Sequence, residues 1–194
     1  MIFTEGKVKD AFVIDPERIE DERGFFTRVW CRKEFGHLSS PQIAQANVVF
    51  SRLKGTLRGM HFQAAPFEEA KLVRCTQGAI YDVTVDLRPE SPTYKQWVGA
   101  ELTADNRRML YVPEGCAHGF ETLVDNTEIY YLATEFYMPQ AAWGVRPDDP
   151  AFGIEWPLKI EVISSRDRSW PDYSIVNQSQ SQEEAKRPYD HHRQ

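Results

Sequence analysis

With 194 residues, 41% of them hydrophobic and 12% aromatic, the chain holds enough apolar material for one well-filled domain, read here as residues 1–172. A formal net charge of −6 excludes a general nucleic-acid binder or a membrane-surface binder, while leaving room for a local basic pocket that holds an anion. Cys31, Cys75 and Cys116 are odd in number, widely spaced and free of any CxxC pattern, which excludes a disulfide framework and a zinc motif.

In chain order, the N-terminus lacks an apolar signal core and a cleavage site, and no run approaches the roughly 20 apolar residues of a membrane helix. A cytoplasmic protein is therefore expected. Ala11 to Ile14 reads as a strand ending at Asp15-Pro16, and Asp21-Glu22-Arg23-Gly24 as a turn into a second run, Phe25 to Trp30. A short helical turn is expected at Arg32 to Phe35, stopped by Ser39-Ser40-Pro41, and then a strand over Ile43 to Ser51 with Gln45, Asn47 and Val49 on one face. After a central stretch, Ala79 to Leu87 alternates closely, and further strands are expected at Trp97 to Leu102, Arg108 to Val112, His118 to Leu123 and Glu128 to Thr134. Short strands separated by Gly, Pro and Asn, with almost no helical period, predict an all-β sandwich or jelly-roll barrel whose mouth supplies a cavity. The segment from Met138 to Pro157 reads as ordered loop, and residues 173–194, rich in Gln, Ser and charge, as a flexible tail in which His191 and His192 are not ligands.

The central stretch, Gly55 to Arg74, gathers the chemistry. Arg58 and His61 stand three apart, Gln63 follows, and Lys71 opens the next apolar run. If both runs are strands, His61 and Gln63 share a face, because side chains alternate with period two. Imidazole takes up a proton near neutral pH, whereas charged Lys and Arg stabilise an oxyanion. Together they suit proton abstraction beside a carbonyl. Taken singly, His61 also reads as a buried, hydrogen-bonded histidine, and Arg58 and Lys71 as solvated surface charges; their clustering is what speaks for a site.

Pro113-Glu114-Gly115-Cys116-Ala117-His118 fits the P-x-G-x-x-H turn of the cupin superfamily, whose histidine projects into the barrel. Many cupins complete a metal site with an upstream H-x-H pair and a carboxylate. Here that position reads His61-Phe62-Gln63, too few ligands for a divalent ion, and no metal is expected. A fuller match covers nearly all of residues 1–172. The blocks DERGFF (21–26), QAN (45–47), GTLRGMHFQ (55–63), KLVRCTQGAIYDVTVDLRPESPTY (71–94), PEGCAHGF (113–120), YLATEFYMP (131–139), DDPAFGIEWP (148–157) and SSRD (164–167) resemble, in order and spacing, the dTDP-4-dehydrorhamnose 3,5-epimerase family.

The resemblance implies a double-stranded β-helix, the jelly-roll of the cupins, with short peripheral helices. It also implies a homodimer with strands exchanged across its interface, a nucleotide-diphosphate 4-keto sugar as substrate and no cofactor. Carried over, the family's base falls on His61, its orienting carboxylate on Asp167, its enolate-stabilising lysine on Lys71 and its tyrosine acid, an ordinary phenol of pKa about 10, on Tyr131. Nucleotide and diphosphate contacts fall on Gln45, Asn47, Arg58, His118 and Tyr137, joined by Arg23 and Phe26 from the neighbouring subunit. Asp82 and Asp86, on the cavity-facing register of their strand, are expected to orient His118 or Lys71.

The chain departs from the family at Arg28, where Glu is usual, at Leu132 after the tyrosine, where Lys is usual, and at Pro147-Asp148, where Trp-Asn is usual. The catalytic set is untouched, but the nucleotide, the sugar head and the choice between one inverted centre and two are left open. Two other readings stand beside the epimerase: a non-catalytic cupin that binds a sugar or nucleotide, and a metal-dependent cupin, against which the missing H-x-H speaks.

Overall fold

Runs of β-branched and aromatic residues, punctuated by turn formers, build antiparallel strands in a computed structural model that describes residues 1–38, 42–174 and 183. In chain order these are β1 (Ile2–Glu5), β2 (Phe12–Asp15), β3 (Arg18–Asp21), β4 (Gly24–Thr27), β5 (Gln45–Ser51), β6 (Thr56–Gln63) and β7 (Lys71–Gln77). There follow β8 (Ala79–Asp86), β9 (Trp97–Thr103), β10 (Met109–Val112), β11 (Cys116–Thr122), β12 (Thr127–Ala133), β13 (Ala142–Gly144), β14 (Val162–Ile163) and a single helical turn, α1 (Ser165–Arg168).

One sheet has the order β1-β2-β10-β7-β12-β5, the other β13-β6-β11-β8-β9, with β14 added parallel to β6. Neighbours in space come from distant parts of the chain, the winding of a jelly roll. Among the described residues, the ribbon β3–β4 pairs only with itself.

Period-two alternation sorts the apolar residues into three layers. Between the sheets, Val73 and Cys75 of β7, Leu110 and Val112 of β10 and Ile129 of β12 meet Ile80 of β8, Leu102 of β9 and Phe120 of β11. Behind the second sheet, Met60, Phe62, Val83 and Val85 are covered by Ala141, Val145 and Phe152. Behind the first, Leu72, Met109 and Tyr111 are covered by Phe35 and Leu38. Where these layers cover the outer faces, the polar side chains that point inward gather in the space between the sheets.

The expected Phe25–Trp30 strand stops at Thr27, and the turn at Arg32–Phe35 forms, with Phe35 N–H donating to Cys31 O at 3.0 Å. The segment expected as loop after Met138 contains β13, whose three residues are too few to show a period. Ser39-Ser40-Pro41 lies outside the described residues, as do residues 175–194 of the expected tail apart from 183, including His191 and His192. Tyr173 is fastened to the body, its N–H donating to Asp149 at 2.7 Å and its ring against Phe152. Among the described residues, no helix is long and apolar enough to cross a membrane.

Candidate active site

A cavity of about 600 Å³ opens between the sheets, lined by Arg58, His61, Lys71, His118, Tyr131, Tyr137 and Asp167 among others. In a regular strand, Arg58 and His61 would point to opposite faces, since their spacing is odd. A bulge cancels this. Phe120 pairs with Arg58 and His118 with His61, so three steps along β6 match two along β11, and both side chains enter the cavity. The bulge needs Gly59, at φ +135°, packed on Gly119: a Cβ on Gly59 would lie 2.5 Å from the Gly119 Cα.

Asp167 reaches His61 because β14 runs beside β6, pairing Val162 with Thr56 and Ile163 with Leu57, and hands the chain into α1. The Ser164 hydroxyl caps that turn by accepting from Asp167 N–H at 3.0 Å. His61 Nε2 then lies 2.6 Å from Asp167 Oδ1. Burial pushes the Asp167 carboxyl up, but the hydrogen bond and charge of His61 outweigh it and hold the group below the ordinary range. An ionised carboxylate on Nε2 fixes the tautomer with Nδ1 as the basic nitrogen.

From the opposite sheet come Lys71, at the start of β7, and Tyr131, which pairs with Val73 across β12 and β7. Lys71 Nζ is 2.7 Å from Glu69 Oε1. The half-buried Tyr131 phenol is pushed above the usual tyrosine range, first by burial and second by the charge of Glu69. The ordinary phenol expected from sequence is thus a weaker acid here. His118 Nε2 is 2.8 Å from Asp82 Oδ1, and burial raises that wholly buried carboxyl against the opposing pull of His118 and Lys71.

Of the two aspartates expected to orient His118 or Lys71, Asp82 meets His118 and Asp86 does neither. Asp86 sits at the far end of β8, where it accepts from Arg88 Nε at 2.9 Å and from the Ser91 and Thr93 hydroxyls at 2.5 and 2.7 Å. These bonds, working against burial, hold it below the ordinary carboxylate range.

Arg58 is steered by Ser51 Oγ, which accepts from its Nε at 3.1 Å. Gln63 lines the cavity, but its amide fastens loops, donating to Phe67 O and Phe136 O and accepting from Met138 N–H. Gln45 and Asn47 lie on the inner face of β5, where Gln45 Oε1 accepts from Tyr137 N–H at 2.6 Å and sets that tyrosine at the rim. Arg23 and Phe26 are away from their own chain's cavity on the β3–β4 ribbon, with Arg23 paired to Asp21. Arg28 is turned to Glu34 at 3.3 Å.

Among the lining residues that the sequence reading did not single out are Glu69 and Trp143. Glu69 shares strand parity with Lys71, which was a legible signal, while Trp143 lies on the short β13 and had none. Among the described residues, no group of three or more His, Cys, Asp or Glu is arranged to hold a metal ion.

An imidazole backed by a carboxylate on one sheet and an ammonium and a phenol on the other line one cavity of a cupin-like jelly roll. The family model described as dTDP-4-dehydrorhamnose 3,5-epimerase matches residues 5–174, and the chain belongs to that family. It is 40% identical over 173 residues to a dTDP-4-dehydrorhamnose 3,5-epimerase of Salmonella typhimurium, covering 88% of this chain and 94% of that one. The crystal structure of the dTDP-4-dehydrorhamnose 3,5-epimerase of Bacillus anthracis with TDP and pyrophosphate bound superposes with a TM-score of 0.83 at 43% identity, over 88% of this chain and 98% of that one. A Legionella pneumophila dTDP-6-deoxy-D-glucose-3,5-epimerase in complex with dTDP-4-keto-L-rhamnose gives 0.79 at 34% identity, over 86% and 89%.

Proposed function

We propose that this protein epimerises C3 and C5 of a dTDP-linked 4-keto-6-deoxy sugar, by proton abstraction and return through an enolate. A carbon acid beside the C4 ketone is weak, and it becomes accessible because the charge released moves onto oxygen. His61, backed by Asp167, removes the proton; Lys71 meets the oxyanion; Tyr131 returns a proton from the other side. The observation that carries this reading is the placement of His61 and Tyr131 on opposing sheets of one cavity, with Lys71 on the Tyr131 wall. A single residue would merely exchange the proton on one face, whereas two facing residues invert the centre.

Arg58 and His118, with Tyr137 at the rim, form the positive and polar side on which the diphosphate rests, with Gln45 and Asn47 behind it. Arg23 and Phe26 serve the partner's cavity in a homodimer. The self-paired ribbon supports this, since it presents Ile19, Phe25 and Phe26 to solvent, and the outer face of edge strand β5 likewise shows Val48 and Phe50. Residues 1–172 act as one catalytic domain, against which Tyr173 packs, in the cytoplasm.

Incubation in deuterated water with a panel of 4-keto-6-deoxy sugars linked to dTDP, GDP or CDP tests substrate and regiochemistry together. Deuterium is expected at C3 and C5 of the dTDP sugar, and Tyr131→Phe is expected to keep exchange while losing inversion. No incorporation into any member of the panel removes the reading.

A further inference from the structure

The Lys71 ammonium has a partner that the proposed chemistry has not yet used. Glu69 Oε1 lies 2.7 Å from it, with the two side chains only 10% and 12% exposed. Withdrawing an ion pair this far from water carries a desolvation cost, and replacing such pairs by apolar residues is often harmless. A carboxylate at this depth in a reactive cavity is therefore more than packing. Glu69 stands two residues before Lys71, where the chain enters β7, so both line the cavity. Tyr131 shares that wall through its pairing with Val73. The other ionisable groups facing this corner are Arg58 and His61 from β6, Asp82 from β8, His118 from β11, Tyr137 after β12 and Arg166 and Asp167 from α1. The acids among them are bound to the imidazoles, Asp82 to His118 and Asp167 to His61.

We propose that Glu69 is a positioning residue of this site: its carboxylate fixes the Lys71 ammonium on the Tyr131 wall and keeps a negative charge facing the phenol. An ammonium has three donors, so one is committed to Glu69 and two remain for a substrate oxygen. A carboxylate opposite a half-buried phenol disfavours the phenolate, in line with the upward push that burial and then Glu69 give Tyr131. The phenol is held in the protonated form that a proton donor needs.

Because this role presupposes the epimerase reading, the test has one arm without substrate. Incorporation of 3,5-difluorotyrosine at position 131 gives a phenol that ionises near neutral pH, and its fluorine resonance reports that group alone. With Glu69→Gln, which keeps the volume and removes the charge, the midpoint is expected to fall by about one pH unit. With Glu69→Asp, which draws the charge back by one methylene, it should fall by less. An unmoved midpoint in either folded variant overturns the assignment, and if Glu69→Gln does not fold, Glu69→Asp decides it.

In the second arm, the alkaline limb of kcat for formation of the inverted sugar by Glu69→Gln enzyme should move down by a similar amount, with Glu69→Asp restoring most of the loss. A role confined to folding would lower kcat at every pH without moving the limb, and would sink the proposal. Wild-type protein that labels no 4-keto sugar refutes the epimerase reading and leaves Glu69 to the fluorine titration. An active wild type with an unmoved midpoint refutes the role of Glu69 alone.

Discussion

Two histidine–aspartate pairs stand directly opposite each other on β6 and β11, where His61 and His118 are register partners, and burial separates their behaviour. Each ring gives Nε2 to a carboxylate, at 2.6 Å in His61–Asp167 and 2.8 Å in His118–Asp82. The His61 side chain is 46% exposed and that of His118 9%, while Asp167 keeps 7% and Asp82 none. For Asp167, hydrogen bonds outweigh burial and the carboxyl stays ionised; for Asp82, burial outweighs its partners and the proton is held more tightly. One motif thus yields an open imidazole with an anion behind it and a closed hydrogen-bonding wall. The proposed division of labour, catalysis at His61 and diphosphate binding at His118, follows from that contrast.

The most direct way to break the contrast is to delete each ring. His61→Ala is expected to lower kcat/KM for deuterium incorporation by about 10³-fold, the usual share of a general base. His118→Ala should act mainly through KM, by about tenfold, as expected for one hydrogen bond to a charged group. Equal losses in kcat for both variants would show that the two rings share the proton transfer.

Replacing the carboxylates sharpens the comparison with a smaller effect. Asp167→Asn removes the anion that sets the His61 tautomer, and kcat should fall by about 10²-fold. Asp82→Asn exchanges a carboxyl that already resists ionisation for a neutral group of nearly the same shape, so kcat should fall by less than about tenfold. Steady-state kinetics of both proteins on one substrate checks the order, and a larger loss in Asp82→Asn would reverse the assignment of roles.

How much of this contrast the chain displays depends on the range of the cause. Strand positions and the inward set Lys71, Val73 and Cys75 follow from period two, a local rule visible in the letters. The shared orientation of Arg58 and His61 breaks that rule, because the bulge at Gly59 depends on contact with Gly119, sixty residues away. No spacing in the sequence could show it. Asp167 was reached only through the resemblance of SSRD to a family block, since the parallel docking of β14 on β6 that delivers it has two residues and no periodic signature. Asp82 and Asp86 share parity on β8, yet one meets an imidazole and the other an arginine turn, a difference set by the loop after the strand. Glu69 stands two residues before Lys71, and that even spacing is the signal in the letters for their shared orientation.

The smallest effect, and the one that isolates burial itself, is the dependence of stability on pH. The folded-state pKa of Asp167 is depressed, so its contribution is full above the unfolded carboxylate value of about 3.9 and is lost as pH falls toward the folded value. The folded-state pKa of Asp82 is raised, so its contribution is full below about 3.9 and is lost as pH rises toward the folded value. Denaturant unfolding of wild type and each Asn variant across this range should therefore give differences of opposite slope, apart from a constant offset. Wild type should gain on Asp167→Asn as pH rises below about 3.9, and lose ground to Asp82→Asn as pH rises above it, each by at most ~1.4 kcal/mol per pH unit. If both differences slope the same way, the two carboxylates feel the same balance of burial and hydrogen bonding, and the distinction between an open imidazole and a closed wall must come from the rings alone.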